Sequence, residues 1–230
     1  MISLIIPTYN EAEQIAETIA KIRERCDAVF PEIIVVDGGS VDDTRSVAEA
    51  AGAKVVVGPK GRAKQMNYGA LIASGGIFYF LHADSIPPLY FTRYILDACQ
   101  HGAVSGCFRL AFDHDHWFLK ANSWFTRFDI NGVRFGDQSL FVTREVFSKA
   151  GGFREDLIIM EDQEIIHRLK MHGRFLVMCD YVTTSARKYL DNGIYRMQSI
   201  FYRIWALYYL GYSQDQLVNL YRRLIQKHKH

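Results

Sequence analysis

The chain has 230 residues, 49% of them hydrophobic and 23% charged, with a formal net charge of +2 at pH 7. That length can bury the core of one domain without disulfide or metal staples. So small a charge, with no long Lys/Arg block, argues against nucleic acid as a partner, and no apolar run reaches the roughly 18 residues that a membrane span needs.

Met1 to Ile6 reads as a strand that Pro7-Thr8-Tyr9-Asn10 breaks. Helical spacing runs from Glu11 to Arg25, with Ile15, Ile19 and Ile22 as the buried stripe. Asn10 as N-cap and Glu13 three positions on form a capping-box-like pair. Glu32 to Asp37 is a second strand, Gly38-Gly39-Ser40 a turn, and Asp42 or Ser40 caps a helix that runs to about Ala51 and ends at Gly52. Ala53 to Val57 is a third strand and Ala63 to Ser74 a third helix. Ile77 to Leu81 is continuously apolar and reads as a mid-sheet strand buried on both faces; Pro87-Pro88 stops any continuation. This alternation is the grammar of a largely parallel sheet with right-handed crossovers. Such sheets bind ligands beyond the carboxyl ends of their strands.

The usual phosphate signatures are missing. There is no Gly-x-Gly-x-x-Gly after the first strand and no Gly-x-x-x-x-Gly-Lys-Ser/Thr, which makes dinucleotide dehydrogenases and P-loop enzymes poor fits. Two carboxylates, Asp37 and Asp84, leave strand ends instead, with His82 on the same side as Asp84. Mg²⁺ or Mn²⁺ takes one or two carboxylates and completes its shell with phosphate oxygens and water, so a metal suits this sparse set. Asp84 is the first candidate ligand; the alternative is that it caps the following turn.

In the second half, Ala103 to Phe112 reads as a strand and Trp117 to Phe128 as an aromatic helix. Asp113-His114-Asp115-His116 between them reads as a solvated loop, since a flexible run gives a metal no fixed geometry. Gly132 to Gly136 is bracketed by glycines and reads as mobile. Asp137-Gln138 precedes the apolar Ser139 to Val142, a polar pair that ordinary turn chemistry would also explain. Glu161-Asp162 opens a helix with Ile165, Ile166 and Leu169 inward and Gly173 at its end; acids there are favoured by the helix dipole alone. Phe175 to Asp180 is a last strand. Beyond it, Arg187 is a phosphate contact or a surface ion pair. Ile194 to Leu210 is helical and heavily aromatic, either a packed or dimer surface or an interfacial membrane helix. Ser213 to Gln216 is a capping box opening a helix with Leu217, Leu220, Tyr221 and Leu224. The basic tail from Arg222 assists attachment to anionic lipid or stays solvated. Cys26, Cys99, Cys107 and Cys179 are far apart, and no signal peptide precedes the first strand. Reduced thiols in a cytoplasmic protein are the expectation.

Four motifs, in order, carry a resemblance: Pro7-Thr8-Tyr9-Asn10-Glu11, Val35-Val36-Asp37-Gly38-Gly39-Ser40-Val41-Asp42-Asp43-Thr44, His82-Ala83-Asp84, and Glu161-Asp162 after Gly151-Gly152-Phe153. Over roughly Met1 to Gly173 the chain resembles family-2 glycosyltransferases of the GT-A fold. Gly61-Arg62-Ala63-Lys64-Gln65-Met66-Asn67 and Gly136-Asp137-Gln138 further resemble a small bacterial branch of that family, associated with radical-SAM and selenium-related proteins. The resemblance implies a single α/β domain, Rossmann-like, with a mostly parallel central sheet flanked by helices and with aromatic C-terminal helices. Residues 1–112 would form the nucleotide-sugar half, 113–190 the acceptor and catalytic half, and 191–230 a helical extension.

The implied activity is an inverting transfer from a nucleoside-diphosphate sugar, UDP-linked by preference, to a hydroxyl on a glycan, lipid or small molecule. Pro7, Thr8, Glu11 and Asp37 would hold the nucleoside, Arg62 a phosphate or the base, and Asp84 the Mn²⁺ or Mg²⁺. Asp137 and Gln138 would face the donor sugar and Arg187 the diphosphate. Asp162 would be the general base, a role worth about 10²–10⁴-fold in rate. A homodimer or a membrane-surface contact would run through 194–224, with the inner membrane face as the alternative to a wholly cytoplasmic location. Asp37-Gly38 replaces the family's more common Asp-Asp, which leaves the base open. His82 stands where many members have Asp. A Gln-x-x-Arg-Trp signature is absent, which favours single transfer over processive synthesis. Two other readings use the same residues: a non-catalytic nucleotide-sugar-binding scaffold, and a sugar-1-phosphate nucleotidyltransferase. The latter would need Gly-x-Gly-x-x-Arg after strand one, where this chain has Pro7 to Glu11.

Overall fold

The computed structural model describes residues 1–27, 29–130 and 138–225. Strands β1 (Ile2–Thr8), β2 (Glu32–Asp37), β3 (Lys54–Val57) and β4 (Ile77–Phe80) run parallel, connected through helices α1 (Ile15–Glu24), α2 (Thr44–Ala50) and α3 (Arg62–Ile72). The chain continues through β5 (Ser85–Ile86), α4 (Phe91–Gln100), β6 (Ala103–Phe112), α5 (Trp117–Phe125), β7 (Leu140–Thr143), α6 (Arg144–Lys149), α7 (Glu161–Lys170) and β8 (Arg174–Thr184). Helices α8 (Arg187–Asn192), α9 (Ile194–Tyr209) and α10 (Gln214–Leu224) complete it. All the strands join one sheet in the order β3-β2-β1-β4-β7-β6-β8-β5.

β4 lies mid-sheet, parallel to β1 and antiparallel to β7. Its residues alternate between two cores, as the side-chain period of a strand requires. Tyr79, with Leu81 just beyond the strand, packs on Leu4, Ile6 and the α1 stripe Ile15, Ile19 and Ile22. Phe78 and Phe80 pack on Ile5, Met66 and Phe147 on the other face. The buried Tyr79 hydroxyl donates to Ser139 Oγ at 3.1 Å, which satisfies it. On that second face α3 approaches so closely that a Cβ on Gly69 would collide with the Ile5 and Val36 side chains. A third cluster, including Leu119, Tyr189, Met197, Ile200, Ile204 and Leu217, fastens α8, α9 and α10 to α5. The capping box at the start of α10 is present: Ser213 Oγ accepts from the Gln216 amide and Gln216 Oε1 from that of Ser213.

Several expected elements are corrected. The sheet is mixed, because β7 runs against both β4 and β6, and β5 against β8; an apolar run reads alike in either direction. α1 begins at Ile15, with Gln14 and not Asn10 at its cap, so no capping box forms there. α5 ends at Phe125. β8 extends to Thr184, since its second half pairs with β6 and β5. Asp113 to His116 is more ordered than a solvated loop: Asp113 Oδ1 accepts from the Ala186 amide at 2.7 Å and His116 caps α5. The glycine-bracketed stretch 132–136 and Asp137 lie outside the described residues. Among the described residues no helix is long and apolar enough to cross a membrane.

Candidate active site

A cleft of about 650 Å³ opens at the carboxyl edge of β1 and β4. Pro7, Asn10 and Glu11 of the β1–α1 turn, His82 and Asp84 after β4, and Arg62 at the start of α3 form one side. Ser185, beside Asp84, with Arg187, Lys188, Phe201 of α9 and Tyr221 of α10 completes the lining. The expected residues Pro7, Glu11, Arg62, Asp84 and Arg187 are therefore brought together. Thr8, Asp37 and Gln138 are buried and lie outside the cleft wall.

Asp37 is 0% exposed. Its Oδ2 accepts from the amides of Gly39 at 3.1 Å and Ser40 at 3.0 Å, and its Oδ1 accepts from the Ser40 hydroxyl. Gly39 takes the left-handed φ of +91° that this turn needs. Asn10, itself at φ 54°, reaches the same loop: its Oδ1 accepts from the Val41 amide at 3.0 Å and its amide donates to Ser40 Oγ at 2.8 Å. Burial works to raise the pKa of Asp42, but hydrogen bonds from the Thr44 hydroxyl and from the Ala12 and Thr44 amides hold it below its ordinary value. The turns after β1 and β2 are thus knitted into one unit, with Asp37 as its buried anchor.

Behind that unit sits a residue whose role no local pattern reveals. Gln65, on the inner face of α3, donates to the carbonyls of Thr8 and Val36, each at 2.8 Å, and so clamps the ends of β1 and β2. The only local signal for it is an amide placed between the core residues Ala63 and Met66. Thr8 Oγ1 donates to the Val36 carbonyl at 3.4 Å. Gln138 uses its amide on the carbonyls of Phe108 and Thr126, both at 3.3 Å, joining β6 to the end of α5.

Glu161 and Asp162 occupy the first turn of α7, where the helix dipole favours acids. Arg62 Nη1 lies 3.4 Å from Glu161 Oε1 and 3.6 Å from Asp162 Oδ2. Asp162 is thereby linked to the cleft through Arg62. Burial, and then the charge of Asp162, push the Glu161 pKa up to about 7, against the opposing pull of Arg62. Across the cleft Arg187 faces Glu11 at 4.0 Å and Glu13 at 3.9 Å. The Asp84 carbonyl accepts from the Ser185 amide, while its carboxylate forms no hydrogen bond or ion pair with the described residues. Among those residues no cluster of three or more His, Cys, Asp or Glu is arranged to hold a metal. One uncommitted carboxylate fits a hard cation that draws most of its ligands from phosphate and water, and does not fit a metal caged by protein.

The family model for glycosyl transferase family 2 matches residues 3–157. The chain belongs to that family. A segment of 56 residues is 52% identical to glycosyltransferase AglJ of Haloferax volcanii, covering 24% of this chain and 18% of that protein. The fold is similar to that of the mannosyltransferase PcManGT of Pyrobaculum calidifontis, in complex with GDP-Man and Mn²⁺, with a TM-score of 0.69 at 20% identity over 88% of this chain and 61% of that one. It is also similar to glucosyl-3-phosphoglycerate synthase of Mycobacterium tuberculosis, in complex with Mn²⁺, UDP and glucosyl-3-phosphoglycerate, with a TM-score of 0.56 at 19% identity over 80% and 70% of the two chains. The chain spans less than half the length of the first curated relatives it matches. As a glycosyl transferase family 2 domain it has the single α/β GT-A architecture of these neighbours. The family match ends before Glu161 and Asp162, so the case for that pair rests on its contact with Arg62.

Proposed function

We propose that this chain transfers a glycosyl group from a nucleoside-diphosphate sugar, UDP-linked in the first instance, to a hydroxyl acceptor, with inversion and with Mn²⁺ or Mg²⁺. The observation that carries this reading is the convergence of Glu11, Arg62, Asp84 and Arg187 on one cleft at the strand ends, with Asp162 3.6 Å from Arg62. The GDP-Man, UDP and Mn²⁺ in the two similar structures favour a nucleotide-sugar donor here as well.

In this reading Pro7 and Glu11 contact the nucleoside, and Thr8 and Asp37 act from behind by fixing the loop that receives it. Arg62 and Arg187, each now balanced by carboxylates, turn toward the diphosphate, whose charge suits two guanidinium groups. Asp137 would contact the donor sugar, while Gln138 holds the carbonyls of Phe108 and Thr126. Asp84, with the diphosphate, would hold the divalent ion, whose charge would offset the negative charge gathering on the leaving group. Asp162 takes the acceptor's hydroxyl proton as that oxygen bonds to the anomeric carbon. The bond from that carbon to the β-phosphate oxygen breaks in the same step, and the nucleoside diphosphate departs with its electrons. One displacement with one base inverts the centre. The division of the chain into a donor half, an acceptor half and a helical extension, its place in the radical-SAM-associated branch and a cytoplasmic location belong to the same proposal.

Calorimetric titration with UDP and with GDP, each with Mn²⁺ and with EDTA, tests the donor site. Metal-dependent binding of one nucleotide is expected, lost in Asp84→Ala. Binding of neither overturns the reading. Asp162→Asn should lose transfer while keeping donor affinity; unchanged turnover would remove Asp162 as the base.

A further inference from the structure

Two exposed aromatic stripes lie beside the cleft. On α5 and the turn that follows, Trp117, Trp124 and Phe128 recur at helical spacing on the outward side, with Trp117 66% exposed. On α9, Tyr195, Tyr202 and Tyr209 recur every seventh residue and are all exposed. The stripes meet where the Tyr195 ring lies 6.3 Å from that of Trp117 and 4.9 Å from that of Phe118. The opposite faces of these helices already supply Leu119, Met197, Ile200 and Ile204 to the core. The outward rings are therefore surplus to folding, and a contiguous exposed aromatic surface of this kind marks an interaction site.

The charge on the same segments narrows the partner. Residues 116–128 and 194–210 carry Lys120, Arg127, Arg196 and Arg203 and no Asp or Glu; Asp115, just before them, neutralises Lys120 at 2.6 Å and Asp129, just after, is paired with Lys170, which leaves Arg127, Arg196 and Arg203 as the net charge of the two faces. Arg127 lies over the Trp124 ring at 4.4 Å, its charge kept at the rim of the apolar strip. Trp and Tyr with Lys and Arg beside them suit the headgroup zone of a bilayer, where rings bury their bodies and cations stay in water. A second copy of this chain docked across a two-fold axis would bring two faces of the same net positive charge together.

We propose that the outward faces of α5 and α9 dock this protein on the surface of an anionic lipid bilayer. The inner side of α9 contributes Phe201 to the cleft wall, so the docking helix is also part of the cleft. The docking itself does not depend on the transfer reaction.

The test is co-sedimentation of the full chain with vesicles of phosphatidylcholine alone and of phosphatidylcholine mixed with phosphatidylglycerol. Retention is expected on the mixed vesicles only, weakening as salt is raised. Trp117→Ser with Tyr202→Ser should abolish it. Arg127→Gln and Arg203→Gln should each lower affinity about fivefold. Both sets are surface changes, expected to leave the melting temperature and nucleotide binding as in the parent, so a lost vesicle signal is separable from a lost fold or donor site. The proposal is overturned by no retention on the anionic vesicles, or by retention that the aromatic substitutions leave unchanged. It is equally overturned by self-association, seen in sedimentation velocity, that the aromatic substitutions abolish while vesicles bind nothing.

Discussion

Arg62 and Asp162 stand 3.6 Å apart, brought together by α3 and α7 from opposite halves of the chain. The same guanidinium group lies 3.4 Å from Glu161, so one cation serves two adjacent carboxylates at the base of the cleft. Two neighbouring acids repel each other's ionisation, and a cation beside them opposes that repulsion. If Asp162 is the base, as proposed, Arg62 is the positive charge that faces it.

Arg62→Gln should lower kcat/KM by about 10–100-fold, and the acidic limb of the pH–rate profile should move upward by up to about one unit. Arg62→Lys should recover part of the rate, because a point charge restores the field but not the planar fork. The check is kcat/KM against pH for the three proteins. An acidic limb that stays in place in Arg62→Gln would show that Asp162 does not rely on this contact.

Glu161 makes a separate prediction about stability. Its pKa is pushed up to about 7 in the folded protein, chiefly by burial, and its ordinary value is 4.5. Between those values the folded chain holds a proton that the unfolded chain has released, so unfolding free energy falls as pH rises through the window. The loss is complete above the upper value and is on the order of 3 kcal/mol. Gln cannot ionise, so Glu161→Gln should lose less melting temperature than the wild type between about pH 5 and about pH 8. Parallel curves for the two proteins would assign the charge at neutral pH elsewhere.

What could be read from the sequence was what is local. The burial of β4 on both faces, the Ile15, Ile19 and Ile22 stripe and the Ser213 capping box all follow from spacing within a few residues, and the structure has them. The reversal of β7 was hidden, because direction is set by the connections and not by the apolar run. The same limit applies at the site. A carboxylate at a strand end is visible in the sequence, but the groups that donate to it are not. Asp37 looks like a ligand contact until Gly39 and Ser40 are seen to occupy it. Asn10 looks like a helix cap until its partners, Ser40 and Val41, are found in the next loop. Gln65 could not be singled out because both carbonyls that it holds belong to distant strands.

Asn10 combines two demands that substitution can separate. Its backbone is left-handed at φ 54°, and its side chain accepts from the Val41 amide. Asn10→Gly keeps the backbone and loses that hydrogen bond, at about 1 kcal/mol. Asn10→Ala loses both, adding roughly 1–2 kcal/mol for a Cβ in the left-handed region. Chemical denaturation should therefore rank the wild type above Gly and Gly above Ala. Equal losses in the two variants would mean that the backbone conformation contributes nothing. Nucleotide affinity should follow the same order, because Asn10 and Asp42 both line the cleft.

Asp37 decides whether the nucleoside is held by direct contact or by the shape of the loop. Both of its oxygens accept hydrogen bonds, from the amides of Gly39 and Ser40 and from the Ser40 hydroxyl. In Asp37→Asn the NH₂ sets donor against donor if it faces the Gly39 and Ser40 amides; turned to the Ser40 hydroxyl it makes that hydroxyl accept and leaves the hydroxyl's own proton without its partner. The cost of the buried groups left unpaired is about 1–3 kcal/mol. If the loop is what Asp37 supplies, melting temperature and nucleotide affinity fall together, and UDP and GDP lose affinity by the same factor. A direct contact to the base would act differently: the preference between UDP and GDP would change while the melting temperature held. Titration of both nucleotides alongside a thermal melt separates the two, because the buried carboxylate acts through its partners Gly39, Ser40 and Arg45 unless the loop opens to expose it.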